Sequence, residues 1–155
     1  MKKIVLFDID YTLFDTDLFK ESNLTTYKLY DEAKDVLEKL SSVAEVGIFS
    51  QGENTFQREK LKQTLIDSHF KEENIHIFAR KDENIGSVLD KYKERDVFFV
   101  DDKLGVLKLA KDLNGDVFTI WVERGPFAAN QENIIGFEPD AVVSNLTEAL
   151  SFINS

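Results

Sequence analysis

Short apolar runs alternate with amphipathic stretches along the whole chain, and this alternation constrains the fold more than any other feature. Short runs rich in β-branched and aromatic residues are typical of buried strands, whereas apolar residues at helical spacing are typical of surface helices. Strands that alternate with helices pair in parallel, because each helix returns the chain to the same end of the sheet. The sequence therefore predicts an α/β domain with a mainly parallel sheet.

The predicted elements can be placed along the chain. After a first strand that begins at Ile4, we expect strands at Val43–Ser50, Ile75–Ala79, Val97–Val100, Val117–Val122 and Ala141–Val143. We expect helices at Tyr30–Leu40, Asn54–Ile66, Asn84–Tyr92, Val106–Leu113 and Asn145–Ile153. Residues 14–27 are predicted to form a flap over the end of the first strand, and residues 123–138 a loop. The run at 97–100 is entirely apolar, so we expect a central strand that is covered on both faces.

Composition limits the classes of function. A chain of 155 residues fits one domain, which we place at 1–155, and 43% apolar with 31% charged residues is typical of a globular protein. The net charge of -10 argues against nucleic-acid or anionic-membrane partners. The absence of cysteine excludes disulfides and thiolate metal sites. The first apolar run is too short for a signal peptide or a membrane span, so we expect a cytoplasmic protein.

The first strand ends abruptly at two carboxylates, Asp8 and Asp10. Because side chains alternate along an extended chain, both carboxylates can face one site at the carboxyl end of the strand. Like charges held this close repel each other, so the arrangement indicates a bound cation or a shared proton. The alternative interpretation is an acidic turn after a core strand.

Three further strands also end in polar residues. Ser50 ends the second strand, Lys81 follows the third, and Asp101 with Asp102 follows the fourth. The carboxyl ends of parallel strands meet at one edge of the sheet, where open α/β sheets bind their ligands. We therefore expect these side chains to share one site with the two carboxylates of the first strand.

These residue types favour one kind of chemistry. Carboxylates and a backbone carbonyl make an all-oxygen site that suits Mg²⁺ better than zinc. The Ser50 hydroxyl, the neighbouring amides and the Lys81 ammonium suit a phosphoryl group. One carboxylate can attack phosphorus while a second donates and later removes a proton, which divides hydrolysis into two steps through an aspartyl-phosphate.

The order of these motifs resembles that of the haloacid dehalogenase-like superfamily of phosphohydrolases over nearly the whole chain. The first family motif, DxDxT, corresponds to Asp8-Ile9-Asp10-Tyr11-Thr12, and the second to Ile48-Phe49-Ser50-Gln51-Gly52. The acidic pair is Val100-Asp101-Asp102, and Gln57-Arg58-Glu59-Lys60-Leu61 is similar to a Q-x-x-K-L run of many members, in which Lys60 is a helix residue and not the catalytic lysine. The resemblance implies a three-layer, Rossmann-like domain with helices on both faces of the sheet.

The resemblance also implies roles for the polar strand ends. Asp8 would be the nucleophile and a Mg²⁺ ligand, and Asp10 the general acid and base, with its backbone carbonyl on the metal. Asp101 would bind Mg²⁺ directly, and Asp102 would bind it through water or pair with the lysine. Lys81 would neutralise charge between nucleophile and phosphate.

The phosphate-binding residues implied by the resemblance are Ser50, Gln51 and Gly52, with Thr12 steadying the loop beside them. The Ser50 hydroxyl and the amides of Gln51 and Gly52 would hold the phosphoryl oxygens.

Two departures from the family pattern leave questions open. The family's lysine is usually followed by proline, whereas Lys81 is followed by Asp82, so Arg80 competes for its role. Many relatives also insert a helical cap after the first motif, where this chain has only the flap. We therefore expect a minimal cap and an open site, unless another subunit covers it.

The expected activity is that of a Mg²⁺-dependent phosphomonoester phosphatase. An open site favours a phosphorylated small molecule or a phosphoprotein as substrate, and a homo-oligomer could enclose the smaller ones. Phe14, Phe19 and Arg124 are candidate substrate contacts. The alternatives are a non-catalytic, phosphate-binding or phospho-accepting module, or a phosphotransferase or mutase on the same fold.

Overall fold

The computed structural model describes residues 2–155, which build one six-stranded sheet. The strands are β1 (Lys3–Phe7), β2 (Glu45–Gln51), β3 (Ile75–Phe78), β4 (Asp96–Asp101), β5 (Phe118–Val122) and β6 (Ala141–Val143). Their order in the sheet is β3-β2-β1-β4-β5-β6, and every neighbouring pair is parallel. The predicted α/β class with a parallel sheet is confirmed.

Helices cover both faces of the sheet. They are α1 (Thr16–Glu21), α2 (Ala33–Leu40), α3 (Asn54–Gln63), α4 (Ile85–Lys91), α5 (Leu104–Leu113), α6 (Gly125–Ala129) and α7 (Leu146–Asn154), with short 3₁₀ turns at Asp67–His69, Glu72–Asn74 and Lys81–Glu83. Helices α1, α2, α3 and α7 pack on one face of the sheet, and α4 and α5 pack on the other. The three-layer prediction is confirmed. In residues 2–155 no helix combines the length and the apolar character that a membrane crossing requires.

The two central strands set the position of the site. Alternate residues of β1 enter opposite cores: Val5 and Phe7 one, Ile4 and Leu6 the other. All four are almost completely buried, which explains why the run is continuously apolar. The chain adds β2 and β3 on one side of β1 and then β4, β5 and β6 on the other. The connections therefore reverse direction between β1 and β4, where a crevice forms at the carboxyl ends of the strands.

Several predicted segments differ from the structure, and the helix predicted at 30–40 begins only at Ala33. The predicted loop at 123–138 contains α6, because Pro126 fixes a backbone angle that suits the first turn of a helix. The predicted helix at 54–66 ends at Gln63, since Leu65 adopts a left-handed conformation with φ 62°. The prediction of a loop is therefore wrong at α6, and the third helix is shorter than predicted.

The predicted flap is an ordered segment built around α1. Asp15 caps this helix, its Oδ1 accepting a hydrogen bond from the Leu18 amide at 3.1 Å. The rings of Phe14 and Phe19 pack with centroids 5.2 Å apart, and those of Phe19 and Tyr27 with centroids 4.9 Å apart. Phe14 is completely buried, so the prediction that it contacts substrate is wrong: its ring anchors the flap to the core.

Glu45 is the main electrostatic tie at the amino-terminal edge of the sheet. Its carboxylate accepts hydrogen bonds from Lys2 Nζ at 2.6 Å, Lys71 Nζ at 3.2 Å and Asn74 Nδ2 at 3.1 Å, and it forms an ion pair with Arg95 at 3.2 Å. The hydrogen bond from Lys2 contributes most to holding the pKa of Glu45 far below its ordinary value. This single side chain joins four separate segments of the chain.

We predict that Glu45→Gln lowers the free energy of unfolding by about 1 kcal/mol at neutral pH, because three cations lose their common acceptor. The pKa of Glu45 is lower in the folded than in the unfolded protein, so its contribution is complete above the unfolded value of 4.5 and fades as the pH falls below that value. Urea denaturation at neutral and acidic pH measures the difference. The exposed Glu132→Gln is the control, and an equal loss at both pH values would contradict this account.

Candidate active site

The turn after β1 places two carboxylates at the crevice. The Asp8 amide donates to the Val100 carbonyl at 3.0 Å, which extends the pairing of β1 with β4 beyond the strand. Tyr11 adopts a left-handed conformation with φ 63°, and its amide donates to the Phe14 carbonyl at 3.1 Å. Such strain in a non-glycine residue persists only where the surroundings enforce it. The tight turn brings both Asp8 and Asp10 to the same cleft.

Three buried carboxylates meet at the bottom of this cleft. Oxygen atoms of Asp8, Asp101 and Asp102 lie within 4.8 Å of one another. Lys81 Nζ donates to Asp101 Oδ2 at 2.7 Å, to Asp8 Oδ1 at 3.2 Å and to the Phe49 carbonyl at 3.3 Å. The structure thus brings the polar ends of three strands together, as the sequence predicts.

The choice between Lys81 and Arg80 is resolved by burial. The Lys81 side chain is almost completely buried against the carboxylates. Arg80 is exposed and pairs with Asp82 and Glu83 outside the cleft. Lys81, and not Arg80, is therefore the cation that contacts the carboxylate cluster.

The negative charges of the carboxylate cluster outnumber the positive charges around it. Burial, together with the charge of Asp101, raises the pKa of Asp8 to about 6. Burial and the neighbouring Asp8 also raise the pKa of Asp102. For Lys81, burial lowers the pKa, but the carboxylates of Asp101 and Asp8 raise it by more. Three carboxylates against one ammonium leave an excess of two negative charges when all are ionised.

The residues of the cluster fit a hard divalent cation. Both carboxylate oxygens of Asp102 are buried and have no hydrogen-bond partner among residues 2–155. Buried polar atoms without partners are rare in folded proteins, and a coordinated cation would satisfy these two. A charge of two would also balance the excess of the cluster, and an all-oxygen donor set is what magnesium and calcium prefer.

Asp10 lies apart from the carboxylate cluster, and its own carboxylate accepts hydrogen bonds from a network of side chains. Its Oδ1 accepts from Lys60 Nζ at 2.8 Å and from Thr16 Oγ1 at 2.9 Å, and its Oδ2 accepts from Gln57 Nε2 at 3.1 Å. Gln57 Nε2 also donates to Ser50 Oγ at 2.8 Å. This network connects the first strand, the flap, α3 and the second strand around one carboxylate.

Lys60 is a residue of α3, as predicted, but it also reaches the site. Its ammonium is buried beside Asp10, within 5.4 Å of the ring centroids of Phe14, Phe19 and Phe56. The spacing in Q-x-x-K-L was the available signal, because residues three apart on a helix lie on one face.

The residues predicted to bind phosphate have different positions. Gln51 lines the cleft, and its Oε1 accepts from the Lys81 amide at 3.3 Å. Ser50 is completely buried behind Gln57. The Gly52 amide donates to the Phe78 carbonyl at 2.9 Å, so it is already engaged and the structure does not support its predicted role.

Thr12 and Arg124 hold the turn after β1 from outside the cleft. The Thr12 hydroxyl is buried and has no hydrogen-bond partner among residues 2–155, and the Thr12 carbonyl accepts from Arg124 Nη2 at 2.6 Å. Arg124 also pairs with Glu32 at 2.6 Å and stacks on the Tyr30 ring, 3.6 Å from its centroid. The prediction that Arg124 reaches substrate is wrong, because its guanidinium is committed to these three contacts.

The cleft above the carboxylates has a volume of about 260 Å³. The flap forms one wall of it, with Phe19 among the lining residues. The remaining outer lining comes from α3, from Lys103 at the start of α5, and from α6. The flap therefore narrows the site from one side.

We predict that Asp102→Asn raises the free energy of unfolding of the metal-free protein by about 1–2 kcal/mol at neutral pH, because it removes a buried carboxyl that ionises only at a cost. The raised pKa of Asp102 makes the folded protein lose stability as the pH rises above the ordinary value of 3.8, and asparagine has no such dependence. The increase in the free energy of unfolding caused by Asp102→Asn should therefore be larger at neutral than at acidic pH. Urea denaturation in the presence of a chelator measures it. Exposed Asp96→Asn is the control, and a destabilised Asp102→Asn at neutral pH would contradict the prediction.

Comparisons with known proteins agree with this architecture. No family model and no curated protein matches the sequence. Among solved structures, the chain is similar to a haloacid dehalogenase-like hydrolase from Burkholderia xenovorans, at 20% identity and a TM-score of 0.82 over 97% of this chain and 95% of that chain. It is similar to a magnesium-bound HAD-hydrolase from Bacillus subtilis, at 15% identity and a TM-score of 0.78 over 99% of each chain.

Other matching structures differ in the activity that they are assigned. A Clostridium difficile protein proposed to be a phosphatase matches at 22% identity and a TM-score of 0.75 over 98% of each chain. L-2-haloacid dehalogenases match at 13–14% identity. Together with the strand order and the polar strand ends, these similarities show that the chain has the haloacid dehalogenase-like fold.

Proposed function

We propose that this protein is a hydrolase of the haloacid dehalogenase-like superfamily that acts as a Mg²⁺-dependent phosphomonoester phosphatase. The observation that carries the proposal is the placement of Asp10, a second carboxylate at the mouth of a cleft whose floor holds Asp8. A carboxyl group there can exchange a proton with the leaving group of a phosphate ester. Dehalogenation does not need this proton transfer.

The metal ligands in this proposal are Asp8, Asp101 and Asp102, with the backbone carbonyl of Asp10. When bound, Mg²⁺ would polarise the phosphoryl oxygens and neutralise their charge. The charge excess of the cluster and the unpartnered oxygens of Asp102 support this assignment.

Asp8 is the nucleophile. Its Oδ1 is held by Lys81, whereas its Oδ2 accepts no hydrogen bond within residues 2–155 and belongs to a residue that lines the cleft. In the first step a carboxylate oxygen of Asp8 bonds to phosphorus, the ester bond to the leaving oxygen breaks, and Asp10 gives that oxygen a proton. In the second step water passes a proton to Asp10 and attacks phosphorus, which releases phosphate and restores the Asp8 carboxylate.

The remaining polar groups of the site orient these two carboxylates and the phosphoryl group. Lys60, Gln57 and Thr16 fix the position of Asp10 through three hydrogen bonds. Lys81 and Gln51 border the space above Asp8, where they are suited to hold phosphoryl oxygens. Ser50 Oγ accepts from Gln57 Nε2, and this bond leaves the Ser50 hydroxyl proton free to donate.

We predict that the protein hydrolyses p-nitrophenyl phosphate only with Mg²⁺ and that Asp8→Asn lowers kcat by at least about 1,000-fold, because the amide cannot form the covalent intermediate. Phosphate release with and without a chelator measures both effects. Exposed Asp82→Asn, which lies outside the cleft, is the matched control.

Retained activity in Asp8→Asn would contradict the mechanism. A stable phosphoaspartate without phosphate release would instead identify a phospho-accepting module, and transfer of the phosphoryl group to an added alcohol in preference to water would identify a phosphotransferase.

We also predict that Lys60→Met lowers kcat by about 10-fold or more, since Asp10 loses its buried cation and with it a fixed position. Lys62→Met on the same helix is the control, because Lys62 is exposed. Steady-state kinetics should be read beside thermal melting, so that a loss of folded protein is not mistaken for a loss of rate. An unchanged kcat in folded Lys60→Met would contradict the positioning role.

A further inference from the structure

The outer part of the cleft is walled by aromatic side chains. Tyr11 and Phe127 form one edge-to-face pair, with ring centroids 5.9 Å apart, and Phe19 and Phe56 form a second pair at the same distance. All four rings line the cleft together with Leu24. The two pairs come from four different parts of the chain: the turn after β1, α6, α1 and α3. Below, these five residues are called the aromatic rim.

Three members of the aromatic rim are exposed although they are apolar. The exposed fractions are 43% for Phe56, 48% for Phe127 and 49% for Leu24. Single exposed apolar side chains are ordinary, but three at the mouth of one catalytic cleft form a patch that a ligand can cover. Because removing apolar surface from water is favourable, the rim is suited to bind an apolar group.

The position of the nucleophile determines which part of a substrate meets the aromatic rim. The phosphorus atom must reach Asp8 at the floor of the cleft, so the leaving group of a phosphomonoester extends outward past the rim. A planar ring in that position can make edge-to-face or offset contacts with the rings of the rim.

The aromatic rim offers few hydrogen-bond partners to a leaving group that is rich in hydroxyls. The acidic side chains that line the cleft are those of Asp8, Asp10 and Asp102, and all belong to the catalytic machinery. Of the neutral polar side chains, Thr16 donates to Asp10, Gln51 accepts from a backbone amide, and the Tyr11 hydroxyl accepts from Lys20 while it donates to Asp17. A sugar would therefore find few free acceptors for its hydroxyl protons.

Two lysines at the rim attract the phosphate end of a substrate. Lys20 Nζ donates to the Tyr11 hydroxyl at 3.3 Å, and Lys103 Nζ lies 4.3 Å from the centroid of the Phe127 ring. These contacts hold both ammonium groups beside the cleft. In a chain with a net charge of -10 they provide a local positive field that draws a dianion into the cleft.

We propose, on the basis of the phosphatase function above, that the substrates are small phosphomonoesters whose leaving group carries an aromatic ring, held by Phe56 and Phe127.

The test compares benzyl phosphate, ethyl phosphate and glucose 6-phosphate. Each releases a primary alcohol, so the three differ mainly in what touches the rim and little in the ester bond that breaks. With Mg²⁺ present, kcat/KM for benzyl phosphate should exceed that for ethyl phosphate and glucose 6-phosphate by at least about 10-fold, chiefly through a lower KM.

Variants of the aromatic rim locate the preference. Phe56→Ala and Phe127→Ala should each lower the ratio of kcat/KM between benzyl and ethyl phosphate by about 3- to 10-fold. Phe152→Ala is the matched control: this ring is 38% exposed on α7, lies outside the cleft, and its loss should preserve the ratio.

Similar kcat/KM values for all three esters would overturn the substrate assignment and leave the phosphatase function standing. A preference for glucose 6-phosphate would also overturn the assignment. An unchanged ratio in the rim variants would also overturn the assignment, and if these variants in addition have a lower molecular mass in solution than the unmodified protein, the rim is a subunit interface. If none of the three esters is hydrolysed with Mg²⁺, the substrate assignment is overturned; if p-nitrophenyl phosphate is not hydrolysed either, the phosphatase function is overturned as well.

Discussion

Three buried carboxylates share a single ammonium group at the carboxyl ends of the central strands, and the rest of the structure depends on how that charge is balanced. Asp8 follows β1, Asp101 ends β4, and Asp102 follows it; Lys81 bridges the first two. Such a cluster is unfavourable in a dry interior unless a cation completes it. The fold tolerates it because the central strands are buried on both faces and hold the three backbones rigidly. The proposed cation would recover the stability that this cluster costs.

A second set of contacts separates the two acidic residues of the first turn by function. Asp8 faces the charge cluster, whereas Asp10 is held by donors from the flap and from α3. Tyr11, which directly follows Asp10, adopts a left-handed conformation and turns the chain sharply away from the strand. Arg124 supports the same turn from the opposite side through the Thr12 carbonyl. One short turn therefore gives the proposed nucleophile and the proposed proton carrier different surroundings.

The fold and the inner site could be predicted from the sequence because their signals are local. An apolar run followed by a polar residue marks the end of a buried strand, and parallel pairing brings such ends together. The role of Lys60 could not be predicted, since it depends on how α3 docks against the first turn. Likewise the burial of Phe14, the commitment of Arg124 and the engaged Gly52 amide are set by tertiary contacts. Helix α6 was not predicted because its sequence begins with Gly125-Pro126, a pair that also marks turns.

The central claim is that Asp8 carries the phosphoryl group during turnover. The most direct measurement is acid quench of Asp10→Asn during its reaction with p-nitrophenyl phosphate and Mg²⁺, followed by mass spectrometry of the peptide that contains Asp8. This variant slows the second step, whereas the activated ester needs little help in the first. The account predicts phosphorylation of Asp8 that appears before steady state and requires Mg²⁺. Release of p-nitrophenol with no phosphate on Asp8 at any time, or with phosphate on another residue, would contradict it.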